Sequence, residues 1–142
     1  MKTNLLYIIV CSLICCACGK TNLLEKAYNQ GINIIPMPVQ LEQGKGYFTL
    51  ESETGLTVSD DSLQSVASFF AGKIQKSTGF CLKIDKGYKS NAVNLIIDKS
   101  VASAEGYKLD VTPDKVEVRA STLRGLFYGM NTFMQLLPAE IE

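Results

Sequence analysis

In a chain of 142 residues without a single His, any chemistry must fall to carboxylates, hydroxyls and thiols. Zero His removes the Ser-His-Asp and Cys-His forms of nucleophilic catalysis. It also removes every His-ligated zinc site. The carboxylates carry no catalytic spacing. Asp60 and Asp61 precede an apolar helical pattern and read as helix caps. Asp85, Asp98, Asp110 and Asp114 end strands or begin turns, and Glu140 and Glu142 fall in a linker. None of them has the spacing of an EF-hand loop. These residues call for no metal and no cofactor. The 14 basic and 14 acidic side chains cancel and form no basic patch, which argues against a nucleic-acid partner. One domain fits the length, whereas a (β/α)₈ barrel needs roughly 200 residues or more.

The thiols lead to an address. Leu5 to Ala17 runs without a charge after Met1-Lys2-Thr3-Asn4. This run of about 13 residues fits a signal-peptide core of ~7–15 and falls short of the ~20 of a membrane span. It closes on Cys15-Cys16-Ala17-Cys18-Gly19, which resembles a bacterial lipoprotein signal. The small Ala17 makes Cys18 the expected lipidation site, although Cys15 stands where that pattern prefers a Leu-like residue. An ordinary secretory signal with incidental cysteines is the alternative. Removal of residues 1–17 takes Cys11, Cys15 and Cys16 with it, and acylation occupies Cys18. Only Cys81 is then left, so no internal disulfide forms. Between Phe80 and Leu82 it is expected to be a buried, inert thiol. Residues 18–33 are polar and mixed and read as a tether.

Residues 34–138 have the patterning of one compact unit. Pro36 and Pro38 hold the opening Ile34–Val39 extended and outside a central sheet position. Tyr47–Leu50 and Gly55–Val58 read as short strands. Asp61 with Gln64 suggests a capping box. A helix follows over about 62–77, with Leu63, Val66, Ala67, Phe70 and Ile74 on one stripe. Gly79 is its stop. Strands are expected at 83–85, 93–98, 106–111 and 115–120. The last two alternate apolar and polar around Thr112-Pro113-Asp114, which predicts an antiparallel hairpin with one wet face. A second helix runs from Ser121 or Thr122 to Leu137, before Pro138. Leu123, Leu126, Phe127, Met130, Phe133, Met134 and Leu137 share its stripe. Tyr128 and Leu136 fall off it. They mark either a second apolar neighbour or ordinary surface residues. Gly125 and Gly129 share one face of this helix. Each costs about 1 kcal/mol there against Ala, which points to close approach by a neighbouring backbone or sheet. The expected fold is α+β: a two-layer sandwich of a mostly antiparallel sheet with two helices on one face. Residues 139–142 read as the start of a linker.

Two segments resemble a known module. Glu105-Gly106-Tyr107-Lys108-Leu109-Asp110-Val111-Thr112-Pro113-Asp114, with Gly125-Leu126-Phe127-Tyr128-Gly129 and Leu136-Leu137-Pro138, is similar to the end of a particular domain. It is the non-catalytic N-terminal domain of β-N-acetylhexosaminidases of glycoside hydrolase family 20. Ile34-Ile35-Pro36-Met37-Pro38 with Gly46-Tyr47-Phe48 resembles its opening. The resemblance covers about 34–138.

The resemblance implies a function for a longer polypeptide. Family members are retaining enzymes that use the substrate's own 2-acetamido group as nucleophile. An adjacent Asp-Glu pair in a (β/α)₈ barrel assists it. No Asp-Glu dipeptide occurs here, nor a Trp to line a sugar pocket. No catalytic residue can therefore be assigned to this chain. The expectation is an accessory domain that braces the barrel of the same polypeptide, through which the glycan substrate is met. Tyr128 and Leu136 are candidates for that interface. The protein is expected to be exported and lipid-anchored in the bacterial cell envelope, periplasmic or outer-surface, with the anchor reaching the membrane. The alternative is a stand-alone, non-catalytic lipoprotein that binds a glycan or a protein partner.

Overall fold

A computed structural model describes residues 31–138. Five strands and two helices follow in the order β1 (Gly55–Val58), α1 (Gln64–Thr78), β2 (Ile84–Lys86), β3 (Ala92–Ile97), β4 (Lys108–Thr112), β5 (Lys115–Ala120) and α2 (Leu123–Leu136). A 3₁₀ turn, Asp61–Leu63, leads into α1. The strands form one sheet in the order β2-β1-β3-β5-β4.

The sheet is mostly parallel, not mostly antiparallel. β1 pairs in parallel with both β2 and β3, and β3 pairs in parallel with β5. Only the β4–β5 hairpin is antiparallel, with Thr112 opposite Lys115 across its turn. The hairpin was the one pairing whose alternation was written in the sequence. The inner strands β1 and β3 are buried on both faces. Ala92–Ile97 accordingly reads as a nearly unbroken apolar run, the pattern of a parallel strand covered on both sides.

Both helices cover one face. Leu56, Val58, Val93, Leu95, Val116 and Val118 supply the sheet side of the core. Leu63, Val66, Ala67, Phe70 and Ile74 meet them from α1, and Leu126, Met130 and Phe133 from α2. The N-cap of the 3₁₀ turn is Asp60, whose carboxylate accepts from the Ser62 amide at 2.8 Å. The expected Asp61–Gln64 capping box is not formed. Asp61 instead pairs with Lys86 at 2.7 Å. Tyr47–Leu50 forms no strand. Phe48 and Leu50 still alternate inward and pack against the core, so the period of two is kept without a ladder partner. Gly79 stops α1 in the left-handed region, at φ 79°.

Cys81 is exposed, contrary to expectation. Phe80 and Leu82 both turn toward the core. In an extended segment that alternation points the residue between them outward. Its sulfur accepts a hydrogen bond from Gln75 Nε2 at 3.0 Å.

The other face of the sheet carries polar residues in one row, with Thr57 opposite Asn94 and Asn94 opposite Glu117. Segment 87–91 folds over this row. Tyr88 donates its hydroxyl proton to Glu117, and Lys89 bonds Asn94 through its backbone. Glu117 also pairs with Lys115 Nζ at 2.6 Å and accepts from Arg119 Nε at 3.0 Å. The hydrogen bond from Lys115, with the Arg119 guanidinium behind it, outweighs burial and holds the Glu117 carboxyl below its ordinary value. A carboxyl depressed in the folded state stabilises the fold above its unfolded pKa, and that stability is lost as pH falls through the folded value. Glu117→Gln should lower stability by about 2 kcal/mol at pH 7, the scale of a charge-assisted hydrogen bond. The difference from wild type should shrink as the pH falls below 4.5. Urea unfolding at pH 7 and pH 3 checks both statements.

Candidate docking face

The elements that carry the sequence-singled residues come together on the helix layer. Thr122 caps α2: its hydroxyl accepts from the Gly125 amide at 3.2 Å and donates to the Ala104 carbonyl. That cap fixes where the helix starts and hence which side faces the sheet. Gly125 and Gly129 lie on the buried side. A Cβ at Gly125 would stand 2.3 Å from the Gly106 carbonyl oxygen and 2.8 Å from Ala120 Cβ. At Gly129 it would stand 2.4 Å from Val118 Cγ1 and 3.2 Å from the Tyr107 ring. Tyr107 reaches past that glycine to share a hydrogen bond of 2.6 Å with the Thr132 hydroxyl. The two glycines let α2 lie directly on β5 and on the segment entering β4.

Tyr128 and Leu136, the interface candidates, are 41% and 39% exposed. They do not share one stripe. Eight residues at ~100° each set them about 80° apart around the helix. Tyr128 belongs instead to an aromatic group that spans both helices. Its ring is 6.4 Å from Phe127. Phe127 lies 5.4 Å from the buried Phe70 and 5.6 Å from Phe69. Phe69 is half exposed, with Lys73 Nζ 5.9 Å from its ring centroid. Phe127 and Leu123, placed on the core stripe by periodicity, are both partly open to solvent. Phe69 was missed because it falls off the α1 stripe beside Phe70. An apolar residue off the stripe of both helices, Tyr128 in one and Phe69 in the other, was the available signal.

Cys18 lies outside the described residues. Among the described residues no group of three or more Cys, Asp or Glu side chains is placed to hold a metal ion. An open crevice of about 1030 Å³ lies over the ends of β1, β3 and β5, lined in part by Ser59, Asp60, Lys99, Thr122 and Arg124. Its polar groups are already engaged in holding the fold. Ser59 Oγ accepts from the Ile97 amide at 3.0 Å, and Lys99 Nζ donates to the Ser121 carbonyl at 2.8 Å. Arg124 pairs with Glu105 at 3.0 Å. Hydrogen bonds from Ser62 hold Asp60 below the ordinary carboxylate range. Among the described residues these polar groups therefore serve the fold, while the aromatic face of the two helices lies partly open to solvent.

Known proteins share this architecture. The chain is 34% identical over 134 residues to the beta-hexosaminidase of Porphyromonas gingivalis (strain ATCC BAA-308 / W83), a match covering 92% of this chain and 17% of that protein. The GH20 beta-N-acetylhexosaminidase of Streptomyces coelicolor A3(2) superposes with a TM-score of 0.72 at 29% identity, over 77% of this chain and 22% of that one. The N-acetyl-beta-hexosaminidase of Streptomyces plicatus, solved in complex with Thio-NAglucal, gives 0.69 at 27% identity, over 78% and 22%. The chain thus spans between a sixth and a quarter of the length of these relatives. Residues 31–142 match the domain described as glycosyl hydrolase family 20, domain 2, and with two helices on one face of a five-stranded sheet the chain belongs to that family.

Proposed function

We propose that this chain is the accessory domain of a β-N-acetylhexosaminidase that removes terminal N-acetylhexosamine residues from glycans. On this reading a (β/α)₈ barrel elsewhere in the same polypeptide does the chemistry, by the retaining, substrate-assisted route that the family resemblance implies. The domain braces that barrel. The protein is exported, and the lipid carried by Cys18 ties it to the cell envelope.

The observation that carries the proposal is the domain-2 match over residues 31–142. The open aromatic face of the helices supports the bracing role, since Phe69, Phe127 and Tyr128 stay partly in water unless a second body covers them. Two measurements test it. The product of the uninterrupted reading frame should hydrolyse a chromogenic N-acetyl-β-glucosaminide, while residues 19–142 alone should give no turnover above buffer. Turnover by residues 19–142, or a frame that stops after Glu142, overturns the assignment. For the anchor, labelled fatty acid should enter the exported protein and be lost on Cys18→Ser. Label retained by that variant removes Cys18 from the role.

A further inference from the structure

The two edges of the sheet are finished differently. β2, at one edge, is three residues long. Its charges are engaged within the chain, Asp85 with Lys89 and Lys86 with Asp61, each at 2.7 Å. A short edge of this kind discourages a further strand. β4, at the other edge, runs over five residues with no proline and no break in its register against β5. Thr112 and Lys115 flank the two-residue turn Pro113-Asp114, so they form a hydrogen-bonded pair. Asp110–Glu117 and Lys108–Arg119, at every second position, do the same. The N–H and C=O groups of Leu109 and Val111 therefore point away from β5. The far side of β5 agrees: Ala120, of the other parity, gives its carbonyl to the Asp98 amide just past β3, at 2.8 Å. Among the described residues no turn or loop supplies partners for the outward groups of β4.

The side chains of β4 are also mismatched with those beside them. On the sheet face away from the helices, Asp110 stands opposite Glu117 and Lys108 opposite Arg119. Like charges directly opposite destabilise a strand pair. Glu117 is already held by Lys115, Arg119 and Tyr88. Among the described residues neither Lys108 nor Asp110 forms an ion pair. An edge charged with one sign would repel its own copy. Here the two signs lie two residues apart, and an antiparallel strand reverses their order. With Leu109 opposite Leu109 of a second copy, Lys108 of each chain meets Asp110 of the other. The outward groups of Leu109 and Val111 then gain ladder partners. Val111, 43% exposed, comes to lie opposite the second copy's Tyr107. A parallel copy in register would instead set like charge against like.

We infer that β4 is a self-pairing edge: a second copy of this chain docks on it antiparallel, about a two-fold axis at Leu109, and the two sheets become one. This pairing uses the sheet edge alone, so its failure leaves the accessory-domain reading untouched. Sedimentation equilibrium over a concentration series tests it, on the protein from Gly19 to the end of its reading frame. The parent should dimerise. Asp110→Lys sets a lysine against Lys108 across the axis, and Lys108→Asp sets an aspartate against Asp110. Each variant should dimerise about tenfold more weakly than the parent, because two symmetric pairs turn from attraction to repulsion. Within the chain each change replaces a like-charge pair by an opposite one, so both variants should resist urea at least as well as the parent. An equimolar mixture of the two variants should associate as tightly as the parent, since every charge at the axis then meets its opposite. A parent that stays monomeric overturns the inference. So do single variants that dimerise as the parent does, and so does a mixture no tighter than its components.

Discussion

Gly125→Ala lowers the thermal midpoint of this domain by roughly 8–12 °C, while Gly72→Ala raises it by a few degrees. Both glycines sit inside helices, where Ala is ordinarily favoured by ~1 kcal/mol. The added methyl decides the sign. At Gly72 it meets nothing within 4 Å, so the intrinsic preference is realised. At Gly125 it would stand 2.3 Å from a backbone oxygen, that of Gly106. A backbone atom cannot rotate away, so α2 must lift off the sheet. Overpacking of this kind costs typically 1–3 kcal/mol, and the backbone contact places it at the upper end, about 2–3 kcal/mol net. For a domain of this size each kcal/mol is worth about 4 °C. Gly129→Ala should be milder, because its 2.4 Å contact is to the Val118 methyl and a side chain can give. Calorimetry on the four proteins, parent included, checks the order: Gly125→Ala lowest, then Gly129→Ala, the parent, and Gly72→Ala highest.

That order shows what could be read from the residues and what could not. The spacing of Gly125 and Gly129 put them on one face of a helix, and the cost of glycine there pointed to a close neighbour. The neighbour's identity, the Gly106 carbonyl, is set by a turn far away in sequence that no local pattern encodes. The two helices and the hairpin were legible because each announces itself within one or two turns of chain. The sheet's direction was not. Parallel pairing joins strands through crossovers, and its only local trace is the unbroken apolar run at Ala92–Ile97, which suits any strand covered on both sides. Exposure failed for the same reason. Phe127 lies on the α2 stripe by period, yet it sits at the seam with α1, against Phe69 and Phe70, and only its inner side is covered there. Cys81 lies between two apolar residues, and it is the alternation of an extended segment, not the apolar neighbourhood, that turns it out.

The largest single loss is expected at Asn94, a position no motif singled out. It is wholly buried in the central strand β3, on the face away from the helices. There it would be an anomaly were its amide not fully used. Oδ1 accepts from the Thr57 hydroxyl at 2.7 Å and from the Lys89 amide at 3.0 Å. Nδ2 donates to the Lys89 carbonyl at 3.0 Å and to the Ala92 and Val116 carbonyls at 3.3 Å. One side chain thus joins three strands and pins segment 87–91 across them. Asn94→Ala leaves the Thr57 hydroxyl and both backbone groups of Lys89 without their partner. A buried orphan such as Thr57 costs about 1–3 kcal/mol, the part-buried Lys89 groups less, and the cavity left by the amide adds to them, so a loss of about 4 kcal/mol is expected. That is a large part of the 5–15 kcal/mol typical of a whole domain. Asn94→Asp separates the chemistry from the shape. The carboxylate keeps both acceptors but has no proton for three carbonyls, and burial disfavours its charge, so its folded pKa is raised. A group whose folded pKa is raised lends its stability at low pH and loses it as pH climbs through the folded value. The Asn94→Asp protein should therefore be more stable at pH 5 than at pH 8, opposite in slope to the acid loss at Glu117 in the parent. Urea unfolding across that range decides it: a flat or rising profile would mean that the Nδ2 bonds do not hold the sheet and the loop together.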